Sequence, residues 1–351
     1  MYKKLISYYY TGTGNSYRVA TWVADKARRA GLDVKVVSVG KYSKEQLDDT
    51  DADTLIHVSF PTHAFTAPSS VIKFARKMPK AKGQKVMITS TRGGGTFLKD
   101  MPGCEGTGSY LIALILSMKG YNIVGVEAID MPPNWNVMMS AYRDKKNEHI
   151  IKISNEITKE LAEKILSGKK VYRGFVSLLI GLVLMPLSLA YLLTGKFFLP
   201  KMLFSSHKCT GCGLCAKSCP VGAIKMLGEN KKRPYWKSSC ESCMRCTAFC
   251  PNNAIEAHHI ILIFAMFIGL TGEIFNIIYK ILETIITISY LNYVVSIVAQ
   301  VFMALGFTYI THYLLFILNR NKLINKFFTY TSFTHYMKRY KEPDTKVEDI
   351  S

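Results

Sequence analysis

The chain is poor in acid, and several motifs that would have named its chemistry are missing. Among 351 residues, 25 Asp and Glu stand against 45 Lys and Arg, a formal charge of +20. Neither the spaced three-glycine dinucleotide fingerprint nor the Gly-Lys-Ser/Thr phosphate-loop sequence occurs, so a nicotinamide enzyme or a P-loop nucleotide enzyme is not indicated. No obvious catalytic acid–base pair stands out. Met1-Tyr2-Lys3-Lys4 leads only into a short apolar strand, without a cleavable signal pattern, so disulfide chemistry is not expected. No charged residue lies between Gly174 and Thr194, and charge is sparse again from Ile260 to Leu318. These two blocks lift the mean hydropathy to +0.12, and each is long enough to reach across a hydrocarbon core of roughly 30 Å. Lys169, Lys170 and Arg173 precede the first block, Lys196 and Lys201 follow it, and Arg320, Lys322 and Lys326 follow the second. Basic residues so placed suit anionic lipid headgroups and the positive-inside rule better than nucleic acid, which is not expected as a partner.

What is present is cysteine in a pattern. Eight of the nine cysteines form two copies of one unit: Cys209-x2-Cys212-x2-Cys215-x3-Cys219-Pro220 and Cys240-x2-Cys243-x2-Cys246-x3-Cys250-Pro251. Three thiolates on one tight loop suit a corner of an iron–sulfur cube, while the fourth lies too far along to join them. Zinc sites show paired CxxC or Cys/His spacings with four ligands per ion, which is a different pattern. Gly211, Gly213 and Gly222 suit close approach of backbone to a cluster. The repeated unit resembles the two-cluster ferredoxins, and that resemblance implies two [4Fe–4S] clusters with crossed ligation. One would take Cys209, Cys212, Cys215 and Cys250, and the other Cys240, Cys243, Cys246 and Cys219.

The first 170 residues read as an α/β doubly wound parallel sheet. Apolar runs at Lys3–Tyr9, Val34–Val39, Thr54–Phe60, Lys85–Ser90 and Ile123–Ala128 alternate with helical patterns near Tyr17–Ala30, Ala67–Lys77, Gly108–Lys119 and Met139–Ser167. Ligand belongs at the carboxyl ends of such strands. There the turn Thr11-Gly12-Thr13-Gly14-Asn15-Ser16 joins a strand to a helix N-terminus, an arrangement of backbone N–H groups, hydroxyls and helix dipole that favours phosphate. The hexapeptide resembles the FMN-phosphate loop of flavodoxins, with Ser16 where those more often have Thr. By that resemblance the loops Ser59–Phe65 and Ser90–Gly95 hold the isoalloxazine ring, and Pro61, Thr62, His63, Phe65, Thr91, Arg92, Gly93 and Gly94 are its candidate contacts. His63 or Phe65 would flank the ring, and Arg92 would face either a flavin anion or solvent. Trp135, in Met131-Pro132-Pro133-Asn134-Trp135, could shield the flavin edge. Cys104 reads as a structural thiol.

A flavodoxin-like domain followed by a two-cluster ferredoxin resembles the flavodoxin–ferredoxin fusion proteins of anaerobes over about Met1–Ala257, and it implies electron passage between FMN and the clusters. A flavin exchanges one or two electrons and each cluster only one, so the pair splits two-electron equivalents into single steps. The expected layout is a flavodoxin-like domain at 1–168, a hydrophobic membrane-associated connector at 169–204, a small α+β two-[4Fe–4S] ferredoxin domain at 205–258, transmembrane helices at 259–320 and a basic cytoplasmic tail at 321–351. Cofactor loading places both redox domains on the cytoplasmic face of the membrane. Gly174–Leu203 is therefore expected to enter the bilayer and return, as basic flanks and Pro186 suggest. Spans are expected over Ile260–Tyr279 and Tyr293–Leu318, with Glu273 inside the first, and the tail reads as a surface helix followed by disorder. The leading expectation is a membrane-anchored electron carrier serving a soluble low-potential partner. The alternatives are an FMN-dependent reductase of a quinone or organic substrate, and a redox sensor. Arg233-Pro234-Tyr235-Trp236-Lys237 is expected to pack the ferredoxin core, with docking as its other reading.

Overall fold

A computed structural model describes residues 2–40, 50–94, 101–229, 232–259, 302 and 306–350. The expected span Ile260–Tyr279, Glu273 within it, and the part of Tyr293–Leu318 before 306 save Phe302 lie outside the described residues, as does Gly95.

β1 (Lys4–Tyr9), β2 (Asp33–Ser38), β3 (Thr54–Pro61), β4 (Lys85–Gly93), β5 (Asn122–Met131) and β6 (Val171–Tyr172) form a six-stranded sheet in the order β2-β1-β3-β4-β5-β6. Every pairing in it is parallel. The first five strands have the flavodoxin-type doubly wound order, whose ligand crevice opens where β1 and β3 diverge. All eight residues of β3 are buried, as expected of a central strand covered on both faces. The covering helices are α1 (Asn15–Arg29), α2 (Ser69–Lys77), α3 (Gly108–Ser117) and α4 (Asp144–Leu166). Tyr8, Phe60, Phe74 and Leu116 fill one side of the sheet, and Leu5, Leu55, Met87, Leu161 and Ile165 the other. The first three helices start within two residues of their apolar patterns, and α4 starts five residues after Met139. β6 came from residues expected to belong to the connector: two residues carry too short a pattern to read, and only pairing with β5 defines them as a strand.

Polar side chains also cross this core. His57 on β3 is fully buried between the Ser7 hydroxyl at 2.8 Å and the Thr89 hydroxyl at 2.9 Å, stitching β1, β3 and β4 together.

The apolar block after β6 becomes two helices, α5 (Phe175–Val183) and α6 (Met185–Ala190), with a bend of 71° between Phe175–Val183 and the helical run Met185–Leu193. Pro186 sits in the first turn of α6, where its missing N–H costs nothing. No single helix among the described residues is long and apolar enough to cross a membrane, though this bent pair has the length and composition. The expected transmembrane spans are not found among the described residues, where the apolar helix Gly306–Leu318 is by itself shorter than a crossing needs. The inner face of the pair is small and polar. Ser177 and Ser188 are buried, and a Cβ at Gly181 would collide with the backbone of Gly106 and Thr107. The outer face exposes Val176, Leu179 and Val183 at 73%, 63% and 80%, a contiguous apolar surface.

The ferredoxin-like part consists of β7 (Leu203–Ser205) paired antiparallel with β10 (Ile255–Ala257), and β8 (Ile224–Leu227) with β9 (Arg233–Trp236). Short helical turns at Leu214–Lys217 and Arg245–Ala248 each follow a left-handed residue, Gly213 and Met244. Trp236, 1% exposed, anchors its core with Ile224, Met202 and Ile255, so the core-packing reading of Arg233–Lys237 holds for this Trp.

The tail departs from expectation. Helix Lys322–Tyr330 is present, but the residues after it are not disordered: Tyr340, Glu342, Thr345 and Ile350 are buried. The Glu342 N–H donates to the Thr13 carbonyl at 2.8 Å, and the Tyr340 hydroxyl donates to Asn15 at 2.9 Å. Acidic composition suggested a solvated end, but the first helix supplies a counter-charge, because Arg18 pairs with both Glu342 and Asp344.

Burial holds the His57 imidazole well below its ordinary 6.5, at about 3. Between those two pH values the unfolded chain binds a proton that the folded chain refuses, so the folded state loses stability as pH falls. Thermal unfolding followed by circular dichroism should show full stability above about pH 6.5 and a decline toward pH 3, with His57 contributing on the order of 3–5 kcal/mol. In His57→Gln the fall over this window should be shallower.

Candidate flavin and iron–sulfur site

Two groups of residues converge at the carboxyl end of the sheet, one from the α/β domain and one from the cysteine loops. On the α/β side, a cavity of about 270 Å³ is lined by Asn15, Pro61, Thr62, Ala64, Phe65, Thr91, Arg92, Gly93, Cys104 and the segment Pro132–Trp135. A second cavity of about 310 Å³ adjoins it, sharing Phe65, Gly93, Cys104, Pro133, Asn134 and Trp135 and adding Met101, Pro102, Gly103 and Met139. The space suits a flat aromatic group between apolar walls with few polar contacts. The Thr62 hydroxyl, buried on this wall, has no hydrogen-bond partner among the described residues.

The loop over the cavity is held in an uncommon backbone shape. Ala64 and Phe65 both have positive φ, 46° and 61°, a conformation that non-glycine residues adopt at a cost. The loop is closed by paired backbone bonds between His63 and Thr66, by the Ser188 hydroxyl donating to the Ala64 carbonyl at 2.9 Å, and by Gly106 packed against Phe65. Phe65 thereby enters both cavities. His63 does not line either one. Its Nδ1 lies 2.9 Å from the Tyr191 hydroxyl, and burial lowers its pKa to about 4, so the imidazole is neutral at pH 7.

Arg92 is neither free for a flavin anion nor solvated. Its guanidinium donates to Glu105 at 2.5 Å and to Asp130 at 2.8 Å. Glu105 in turn accepts from the Ser177 hydroxyl at 2.6 Å, at the start of α5, so the cavity wall and the apolar hairpin share one polar network.

The phosphate-loop residues are gathered where the sequence pattern puts them. Gly14 has φ 107° and precedes α1, which has no side-chain N-cap, leaving the first-turn N–H groups to other acceptors. The loop is deeply buried, and its hydroxyls reach protein partners: Thr11 accepts from the Gly14 N–H, Thr13 from Asn134, and Ser16 lies 2.8 Å from the Thr91 hydroxyl. Asn15 connects this loop to the cavity wall. Gly94 stands apart from the lining, its Cα against Asp130. Pattern reading missed Pro132, Pro133 and Asn134 as wall residues and took Cys104 only as structural. The Pro-Pro-Asn-Trp segment was visible but carries no chemistry of its own until β5 delivers it beside the loop.

On the cysteine side, Cys209, Cys212, Cys215 and Cys250 line one depression, together with Cys246. Cys219, Cys240, Cys243 and Cys246 line another, together with Cys215. The chain thus brings the fourth cysteine of each motif to the three of the other. Burial and neighbouring thiolates push Cys215 up to about 12 and raise Cys240, Cys243 and Cys246 as well. Such thiols ionise only against bound cations, which is the donor chemistry a cluster needs. Among the described residues no three His, Cys, Asp or Glu side chains converge on one ion. A cubane does not require that, because each of its irons takes one thiolate.

The two halves touch directly. A Cβ at Gly12 would land on the Cys243 carbonyl. Arg245, 2% exposed, donates to the carbonyls of Thr11 at 2.7 Å, Ser218 at 2.8 Å and Ile350 at 2.8 Å.

Residues 201–251 match the 4Fe-4S dicluster domain family. Among solved structures, a flavodoxin from the domain Archaea is 18% identical, covering 45% of this chain and 98% of its own, with a TM-score of 0.29. Flavodoxin 2 from Bacillus cereus is 17% identical over 46% of this chain and 99% of its own, TM-score 0.32. The rubredoxin oxygen:oxidoreductase of Desulfovibrio gigas is 13% identical over 46% of this chain and 37% of its own, TM-score 0.27. No curated protein sequence matches the chain. The strand order, rather than these likenesses, carries the fold.

Gly12→Ala should drive the phosphate loop and the Cys243 loop apart. The expected outcome is a protein that still folds, by far-ultraviolet circular dichroism, but binds FMN at least ~10-fold more weakly by fluorescence titration, a loss of about 1.4 kcal/mol. Unchanged affinity would mean that the two loops are not in contact.

Proposed function

We propose that the chain is an electron-transfer flavo-iron–sulfur protein, with FMN against the α/β loops and two [4Fe–4S] clusters in the crossed cysteine sets. One observation carries this reading: the backbone of the Thr11–Ser16 loop rests on the backbone of the Cys240–Cys246 loop, so the two redox sites are neighbours in one packed unit. FMN would lie with its ring among Thr62, Phe65, Gly93 and Trp135 and its phosphate toward the N-terminus of α1, where the tail residues Glu342 and Thr345 pack over Gly14. Bound there, it would exchange one or two electrons while each cluster exchanges one. Anaerobically purified protein should contain one FMN and about eight iron per chain. Stepwise reduction should give flavin semiquinone and magnetically coupled cluster signals by electron paramagnetic resonance. Iron without flavin would break the flavodoxin reading, and flavin without iron the ferredoxin reading.

The second cavity supports an alternative within the same site, an FMN-dependent reductase of a quinone or other organic molecule. An apolar space of about 310 Å³ bounded by Met101, Pro102 and Met139 adjoins the flavin wall. Reduction of a water-soluble menaquinone analogue by the photoreduced holoprotein distinguishes a substrate enzyme from a carrier.

The carrier reading extends to a membrane surface on the cytoplasmic side, with a soluble low-potential partner. The outer face of α5 and α6 is apolar and flanked by exposed Lys169, Lys170 and Arg173, which suits insertion at the level of anionic headgroups. In V183W the added indole should be quenched by brominated phospholipid in anionic vesicles. Quenching by aqueous iodide alone would remove the membrane part of the proposal and leave the redox part intact.

A further inference from the structure

The eight motif cysteines are not equally deep. Cys212 is exposed, Cys240 is buried and the other six lie between. Cys243 is covered by the phosphate loop, and Cys246 lies against the Trp236 core. Electron exchange between proteins needs close approach, so a partner can come nearest at the first motif, where the Cys209–Cys215 loop reaches the surface.

The charge around that loop is one-sided. Lys208 precedes Cys209, Lys217 lies between Cys215 and Cys219, and both are exposed. Exposed Lys232 comes alongside from the β8–β9 connection, its carbonyl against Gly211. Arg233 is bound to the Ser205 and Ser206 carbonyls and sits close enough to Cys209 for the thiolate to act on it. Between Lys201 and His259, the exposed charged residues among those described are Lys208, Lys217, Lys225, Lys232 and a single acid, Glu229. The remaining carboxylates of this part are buried: Glu241 lies beside Tyr10, and Glu256 pairs with His335. Among the described residues of this part, Glu229 is the one exposed carboxylate set against these lysines, and buried Glu256, which pairs with His335, also acts on Lys208.

From this juxtaposition we infer that the face formed by Lys208, Cys212, Lys217 and Lys232 is the docking surface for a small acidic protein that carries one electron. The inference rests on the iron–sulfur reading of the cysteines. Lys208, Lys217 and Lys232 line none of the cavities described above, so they do not enclose a small anion. They can orient a larger acidic surface by long-range attraction, as brief redox encounters require. In each encounter one electron passes between the partner's centre and the centre at the first motif, and no proton or third reactant is needed.

The test is stopped-flow reduction of the detergent-solubilised holoprotein by a reduced, acidic two-cluster ferredoxin, set against reduction by dithionite. The second-order rate with ferredoxin should fall at least ~10-fold as salt rises from about 0.02 to about 0.5 M. At low salt it should fall by a similar factor in the triple variant Lys208→Glu, Lys217→Glu, Lys232→Glu, while dithionite still develops the full cluster spectrum. A wild-type rate independent of salt overturns the proposal without any variant. So does an unchanged ferredoxin rate in the triple variant, including the case where that variant instead loses binding to phosphatidylglycerol vesicles, which would assign the lysines to lipid. Absence of cluster signals after dithionite in the wild type would overturn the iron–sulfur reading itself, and this proposal with it.

Discussion

The rest of the structure depends on one close approach, that of Gly12 to the Cys243 carbonyl. Backbone meets backbone there because position 12 has no side chain, and a methyl group would already separate the loops. Arg245 secures the contact. A buried guanidinium is costly unless its donors are satisfied; the two terminal nitrogens of this one are held by carbonyls from the phosphate loop, the first cysteine motif and the C-terminus, while its Nε has no partner among the described residues. One side chain thus ties three distant parts of the chain to the same point. The flavin loop and the second cysteine loop cannot shift relative to each other without breaking charge-assisted bonds, which are stronger than ordinary ones.

The apolar hairpin joins this unit through its inner face. Ser177, Gly181 and Ser188 let α5 and α6 lie directly on the loops that wall the cavity at Phe65, and Tyr191 reaches both His63 and the Glu241 carbonyl. The Glu105 carboxylate binds Arg92 on one side and Ser177 on the other. The hairpin therefore has a polar inner face packed on the cavity loops and an apolar outer face that is exposed.

Much of the site was legible because its chemistry is local in sequence. Three cysteines per motif lie within seven residues, and a phosphate loop occupies six, so spacing alone reports them. Alternating apolar runs reported the α/β sheet for the same reason, since every parallel strand buried on both faces is a continuous apolar segment. Arg92, His63 and the tail were read less well. A lone arginine in a loop looks available until two carboxylates from other segments, Glu105 and Asp130, are folded against it. A histidine beside a flavin loop looks like a ring contact until the hairpin supplies Tyr191. An acidic, basic and aromatic tail looks disordered until Arg18 and Asn15 provide partners more than three hundred residues upstream.

By itself, then, the sequence determined the redox inventory: eight cysteines in two ferredoxin-type units, a phosphate-type loop before a helix, and an α/β frame to carry it. Ligand type and short spacing are properties of the chain before it folds. Only the tertiary structure decided which cysteine loop faces the flavin loop, which faces solvent, and which charges are neutralised. Those outcomes depend on contacts between segments far apart in the chain, which packing of Gly12, Arg245 and the buried tail brings together and which no local pattern encodes.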